Sequence, residues 1–137
     1  MPYKELAKDL IKIAEAQCLY VLDAIGSHVW VHNFSKKQTW FSENIYQLLG
    51  VHANEIDDNV VFWRDHIVSQ KDKDLVDETD DLYRLGKIQR HDLIYKMKHA
   101  DGSIKTIWDR GVVVERDGEL PLKVIGVHID LTNLKIN

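Results

Sequence analysis

Seven histidines are the side chains here best suited to chemistry near neutral pH, as metal ligands, proton carriers or acid–base groups. His28 and His32 stand four apart, a spacing that on a helix would let both hold one ion. In "HVWVHNF" (28–34) they read as strand residues instead. They then share a face but lie about 13 Å apart along the chain, at roughly 3.3 Å per residue. Zinc takes its ligands at about 2 Å, so the two cannot meet on one ion. His91 and His99 fail by a wider margin. The single cysteine, Cys18, excludes an internal disulfide and reads as a small packed residue rather than a nucleophile. There is no glycine-rich phosphate loop, nucleophile elbow or HExxH, and no spacing of Ser, His and Asp assembles a triad. These residues offer no catalytic set.

A chain of 137 residues, 45% hydrophobic and 29% charged, suits one globular domain with one core. A net charge of −4 without a basic cluster weighs against a nucleic-acid partner. No apolar run approaches the roughly 18–20 residues of a membrane span. The opening "MPYKELAKDL" is charged and is no signal peptide. Together with the lone cysteine this predicts a cytoplasmic protein without membrane contact.

Residues 4–24 lack Gly and Pro and predict a helix ended by Gly26. Ala7, Ile11, Ala14, Cys18, Val21 and Ile25 form one stripe; Leu6, Leu10, Ile13 and Tyr20 form a second. So wide an arc either covers its own core alone or divides between that core and a partner. In the second case Ile11, Cys18 and Val21 form a homodimer interface. "HVWVHNF" and "TWF" are strands about a polar turn, and Ser42 and Gly50 bound a short helix, "ENIYQLL". "NVVFWRDHI" predicts a second helix and "QKDKDLVDETDDLYRLG" a longer one, burying Leu75, Val76, Leu82 and Leu85 beneath a solvated acidic face. From residue 89 the period becomes two. Three strands follow, joined by the turns "ADGS" and "DGELP". The last two are apolar on both faces and need cover on both.

Taken in order, "VWVHNFSKKQTWFSENIYQLLGV" and "YKMKHADGSIKTIWDRGVVVERDGELPLKVIGVHIDLTNLK" resemble the opening and closing parts of a PAS domain. The resemblance runs from 28 to 135 and implies an α+β fold. That fold is a five-stranded antiparallel sheet with short helices on one face, plus an N-terminal helix. It divides the chain into a flanking helix (1–26), a sensor domain (27–132) and the start of an output linker (133–137). The sequence departs from the family in three places. "VSQKD" replaces a His-Pro-Asp-Asp-like stretch, Asn33 stands where an Asp is usual, and the Trp expected at Thr106 sits at Trp108.

By resemblance the domain is sensory rather than enzymatic, with a pocket between sheet and helices. Trp30, Trp63, Tyr95, Met97 and Trp108 are its expected lining; each also suits plain core. The family's topology sets the first and last strands side by side, making His32 and His128 the pair to meet. Haem, through His66, and flavin, whose reactive-cysteine motif is absent, are both disfavoured against a small organic ligand or none. In "IDLTNLKIN" the resemblance makes Asp130 and Thr132 the junction that relays the signal, capping a helix toward an effector. The chain then reads as an excised sensor from a bacterial diguanylate cyclase or histidine kinase, or else as a complete single-domain protein. A ligand-free dimerisation module is the alternative function, and a small α+β enzyme with an acidic base in a cup-like cavity is a third.

Overall fold

A computed structural model describes residues 27–42, 45–51 and 63–132, with isolated positions 9, 17 and 24. The expected N-terminal helix with Ile11, Cys18 and Val21, the start of the helix expected at 59–67, and residues 133–137 lie outside the described residues.

Five strands form one antiparallel sheet in the order β2-β1-β5-β4-β3. They are β1 (Ser27–Asn33), β2 (Gln38–Phe41), β3 (Arg90–Lys98), β4 (Ile104–Asp117) and β5 (Leu120–Asp130). Helices α1 (Ile45–Leu49) and α2 (Gln70–Arg84) fall between β2 and β3. Ser69 caps α2, its hydroxyl oxygen accepting the Asp72 N–H at 3.1 Å. Gly50, at φ 74°, supplies the left-handed residue that ends α1. The loop between β4 and β5 is only Gly118-Glu119, because Asp117 pairs with Leu120. Gly118 at φ 62° gives the positive first position that matches the twist of the strands. β5 therefore begins earlier than "LKVIG", with Pro121 inside it.

The register sets the face of every side chain. Trp30 pairs with Gly126, Gly126 with Gly111, and Gly111 with His91. One row thus reads aromatic, glycine, glycine, imidazole across four strands. The indole of Trp30 lies over both glycines and stacks on His91, ring centroids 5.7 Å apart. A Cβ at Gly126 would come within 2.3 Å of the Trp30 ring and 2.2 Å of the Arg110 carbonyl oxygen. The adjoining row sets His28 against His128, and His128 against Asp109.

Two apolar clusters fill the space between sheet and helices. One joins Ile45, Leu48, Leu49, Trp63, Ile67, Tyr95, Met97 and Ile107; the other joins Trp30, Tyr83, Val113 and Val124. Each such side chain contributes about 1.5–3 kcal/mol on burial. On α2 the buried residue is Tyr83, not the expected leucines. Leu75 and Leu85 are exposed, because the face turned to the sheet carries Val76, Thr79 and Tyr83 at helical spacing. Opposite, the outer sheet face exposes Ile94, Val112 and Val114.

Gly126→Ala is expected to lower stability by about 1–3 kcal/mol, as overpacking does. The near-ultraviolet circular dichroism of the displaced indole should change with it. A substitution neutral in both measurements would contradict the close approach.

Candidate functional site

Asp109 is a buried carboxylate on the sheet's inner face. β4 alternates Ile107, Asp109, Gly111 and Val113 toward the helices, so this acid shares a face with core residues. Three donors converge on it. Tyr95 donates its hydroxyl at 2.6 Å, the His91 Nε2–H lies 2.9 Å away, and the His128 Nε2–H 3.2 Å away. Each is itself supported. Trp63 Nε1–H donates to the Tyr95 oxygen at 2.7 Å. Tyr83 hydroxyl and His91 Nδ1 are 2.6 Å apart, and His28 Nε2 and His128 Nδ1 are 2.7 Å apart.

The proton positions follow from acceptor capacity. A carboxylate only accepts, so His91 and His128 turn N–H groups toward it. In its neutral form His128 then accepts at Nδ1 from the His28 Nε2–H, and His91 accepts from the Tyr83 hydroxyl. His28 is left with an Nδ1 lone pair that has no partner among the described residues. The reverse arrangement would strand a buried N–H donor there. Three one-way chains thus end on one anion.

Burial pushes the Asp109 carboxyl up, but His128 and His91, by charge and hydrogen bonding, more than reverse this and hold it well below the usual range. Burial, then repulsion from His128, holds the His28 imidazole well below its ordinary value. Burial, then the Asp109 charge, pushes both Tyr83 and Tyr95 up.

Beside this network a cavity of about 150 Å³ opens between α2 and the sheet. Trp30, Phe34, Phe41, Trp63 and Tyr83 give it aromatic walls. His91, Asp109 and His128 form its polar floor, while Asp77 and Asp80 line it from α2. Arg64 holds Asp77 through both carboxylate oxygens at 2.9–3.1 Å. Trp63 stacks on His128, centroids 3.8 Å apart and planes at 15°, joining wall to floor.

A family profile described as the PAS fold matches residues 38–128, well over half of the chain. The chain belongs to the PAS family. Solved structures resemble it at low identity. One is a sensory box histidine kinase/response regulator from Burkholderia thailandensis E264, with TM-score 0.65, 15% identity, and coverage of 85% of this chain and 86% of that one. Another is the N-terminal domain of a diguanylate cyclase with PAS/PAC sensor from Marinobacter aquaeolei, with TM-score 0.65, 22% identity, and coverage of 77% and 95%. A third is a LOV protein from Rhodobacter sphaeroides, with TM-score 0.63, 12% identity, and coverage of 80% and 61%. No curated protein sequence matches the chain. PAS domains are sensory modules.

Within this PAS domain the expected pocket residues divide. Trp30 and Trp63 line the cavity. Tyr95 and Met97 are buried beneath α1 in the core, and Tyr95 reaches the site only through its hydroxyl. Trp108 faces the other way. It pairs with Ile94, gives its N–H to Asp92 and lies under Arg110, whose guanidinium carbon is 4.9 Å from the ring centroid. The reason is parity: Tyr95 pairs with Ile107, so even-numbered residues of β4 point outward.

The same parity turns an acid, Asp109, inward, where it is buried. Its depressed carboxyl is a poor general base near neutral pH. His32 pairs with Val124 and bonds Thr39 at 2.7 Å; the imidazole meeting His128 is His28. His66 is half-buried in the turn before Ile67 and does not line the cavity. Among the described residues no three acids, histidines or cysteines could hold a metal. Nor is any helix there long and apolar enough to cross a membrane.

At the end of β5, Asp130 Oδ1 accepts the Thr132 N–H at 2.9 Å, a local turn. Thr132 Oγ1 accepts the Thr106 N–H at 2.9 Å, and the Leu131 N–H reaches the Thr106 carbonyl at 2.8 Å. The junction expected to carry the relay is thereby fastened to β4.

Asp109→Ala leaves three buried donors without their acceptor and is expected to cost about 3–5 kcal/mol, as when one partner of a buried charged set is removed. Urea denaturation would measure it, and a loss below about 1 kcal/mol would contradict the network.

The pH dependence has two limbs. His28 is lowered, so the unfolded chain binds the extra proton first. Stability is full above the unfolded imidazole value and falls as pH drops below about 6.5. Asp109 extends that loss below about 4. The raised tyrosines ionise first in the unfolded chain, so stability falls again above about 10. Urea midpoints across pH 4–11 would trace the dome, and His28→Phe should flatten the limb that begins below about pH 6.5.

Proposed function

We propose that this PAS domain is a cytoplasmic sensor that binds a small organic ligand in the cavity and relays its occupancy to an effector through the end of β5. The observation that carries this reading is the contact of cavity and network. A ligand against Trp63 or Trp30 touches rings that stack directly on His128 and His91. From there the chain of bonds reaches β1 at His28, β4 at Asp109 and β5 at His128. Asp130 and Thr132 lie two and four residues beyond His128, at the exit from the sheet. A ligand that favours one packing of these groups biases that exit by its difference in affinity between the two packings.

The effector by this reading is of histidine kinase or diguanylate cyclase type, and the working unit is a homodimer through Ile11, Cys18 and Val21. The exposed outer-face residues Ile94 (59%) and Val114 (55%) favour a second reading, an interaction module that needs no ligand.

Native mass spectrometry of the freshly purified chain tests the first reading. The expected result is a dimer carrying a defined extra mass. That mass should be absent after a Val124→Trp substitution, which fills the cavity. A dimer that neither carries extra mass nor gains one from a broad metabolite mixture would overturn the sensor reading in favour of the interaction module.

A further inference from the structure

The cavity's chemistry selects among small organic ligands. We infer that its ligand is a one-ring aromatic amine bound as the cation, with its ring against Trp30, Phe41 and Trp63 and its ammonium group toward Asp80. This rests on the reading of the cavity as a ligand site.

Size sets the first limit. A cavity near 150 Å³ holds one benzene-sized ring, as an engineered apolar cavity of about that volume does. A second fused ring would have to project through the open mouth. Shape sets the second. The Phe41 and Trp63 rings lie 5.8 Å apart, planes at 29°, and Trp30 closes another side, so a flat ring finds aromatic faces to stack on.

Charge sets the third limit. The lining carries three carboxylates, Asp77, Asp80 and Asp109, against one guanidinium, Arg64. Both oxygens of Asp77 hold that guanidinium, so its positive charge is largely answered before an anion arrives. Asp80 bonds Arg84 through Oδ2 at 2.8 Å, and Arg84 is largely exposed and lies outside the lining. Asp80 is thus the carboxylate at the mouth best able to exchange its partner for an ammonium, among rings whose negative faces also attract a cation.

The fourth observation is independent of charge. Trp30 is 8% exposed and lines the cavity, and its indole N–H has no acceptor among the described residues. Leaving such a donor unanswered costs about 1–3 kcal/mol. A ligand with an acceptor on or beside its ring, such as a phenol or ether oxygen, would answer it.

Three probes of one size decide the matter: tyramine, the neutral 4-hydroxyphenylethanol, and the anionic 4-hydroxyphenylacetate. Each is titrated into the full chain, read by tryptophan fluorescence and by calorimetry. Tyramine should bind at least about fivefold more tightly than the alcohol at low salt, and the anion weakest. Salt should erode the amine's advantage and leave the alcohol unchanged. Asp80→Asn should bring amine and alcohol within about twofold. Trp30→Phe, which keeps a ring and removes the donor, should weaken both about five- to tenfold.

Equal binding of amine and alcohol, or an advantage for the anion, would overturn the cationic class and leave the cavity as the ligand site. So would a different retained mass displaceable by none of the three. Absence of all three, together with a clean mass spectrum, would overturn the ligand site itself.

Discussion

A charge placed in an apolar interior must be answered there, and in this protein that requirement falls on Asp109. The idealised cost of burying an uncompensated carboxylate is of order 20 kcal/mol, far beyond the stability of a small domain. Tyr95, His91 and His128 answer it directly, and Trp63, Tyr83 and His28 answer for those three. The six come from five parts of the fold: His28 from β1, His91 and Tyr95 from β3, His128 from β5, Trp63 from the helical segment at 63–65 and Tyr83 from α2. One carboxylate therefore fixes the distance of α2 from the sheet, the rotamers of two histidines and the depth of Trp63. The aromatic walls of the cavity stand where they do because their heads are engaged in its floor.

The glycine row complements this arrangement. Among the described residues Trp30 has no partner for its N–H, and packing positions it there, over Gly111 and Gly126 and against His91. A ring that large fits between sheet and α2 only where two strands give up their side chains. One wall of the cavity is thus fixed by hydrogen bonds and the other by the absence of two β-carbons. The two walls differ in compliance: a ligand can alter the contacts of Trp30 without breaking a hydrogen bond, whereas moving Trp63 disturbs Tyr95 and hence Asp109.

Much of this architecture could be read from the residues. Strand alternation in "DLIYKMK" and the Asp-Gly turns place β3, β4 and β5, and the resemblance along 28–135 agrees with the family match at 38–128. Trp30 and Trp63 were also legible as lining, because a large aromatic with a polar head beside a sheet suits a cavity. What escaped was parity across one hairpin. Lys98 pairs with Ile104, so numbers paired across the "ADGS" turn sum to an even value. Tyr95 and Trp108 cannot then share a face. Applying that arithmetic would have turned Trp108 outward and Asp109 inward together. The meeting of His28 with His128 was less accessible, since no local turn links β1 to β5 and a shift of four residues keeps the same face. Tyr83 was missed because leucine counts outweighed helical phase on α2, where the sheet-facing line passes through Val76, Thr79 and Tyr83.

The polar row across β1, β5 and β4 also bears on how the chain finds its fold. β5 reads "VIGVHID", and valines and isoleucines at every other place look nearly alike to a neighbouring strand displaced by two residues. Such a slip keeps the same face of each strand inward and would form a competing trap during folding. Here it would set Asp109 opposite Gly126 or Asp130 instead of His128, and His28 opposite those same two residues. The misaligned sheet would strand an anion and a histidine in the interior. The buried polar row thus acts as an alignment key, penalising the near-miss pairings that hydrophobicity alone would tolerate.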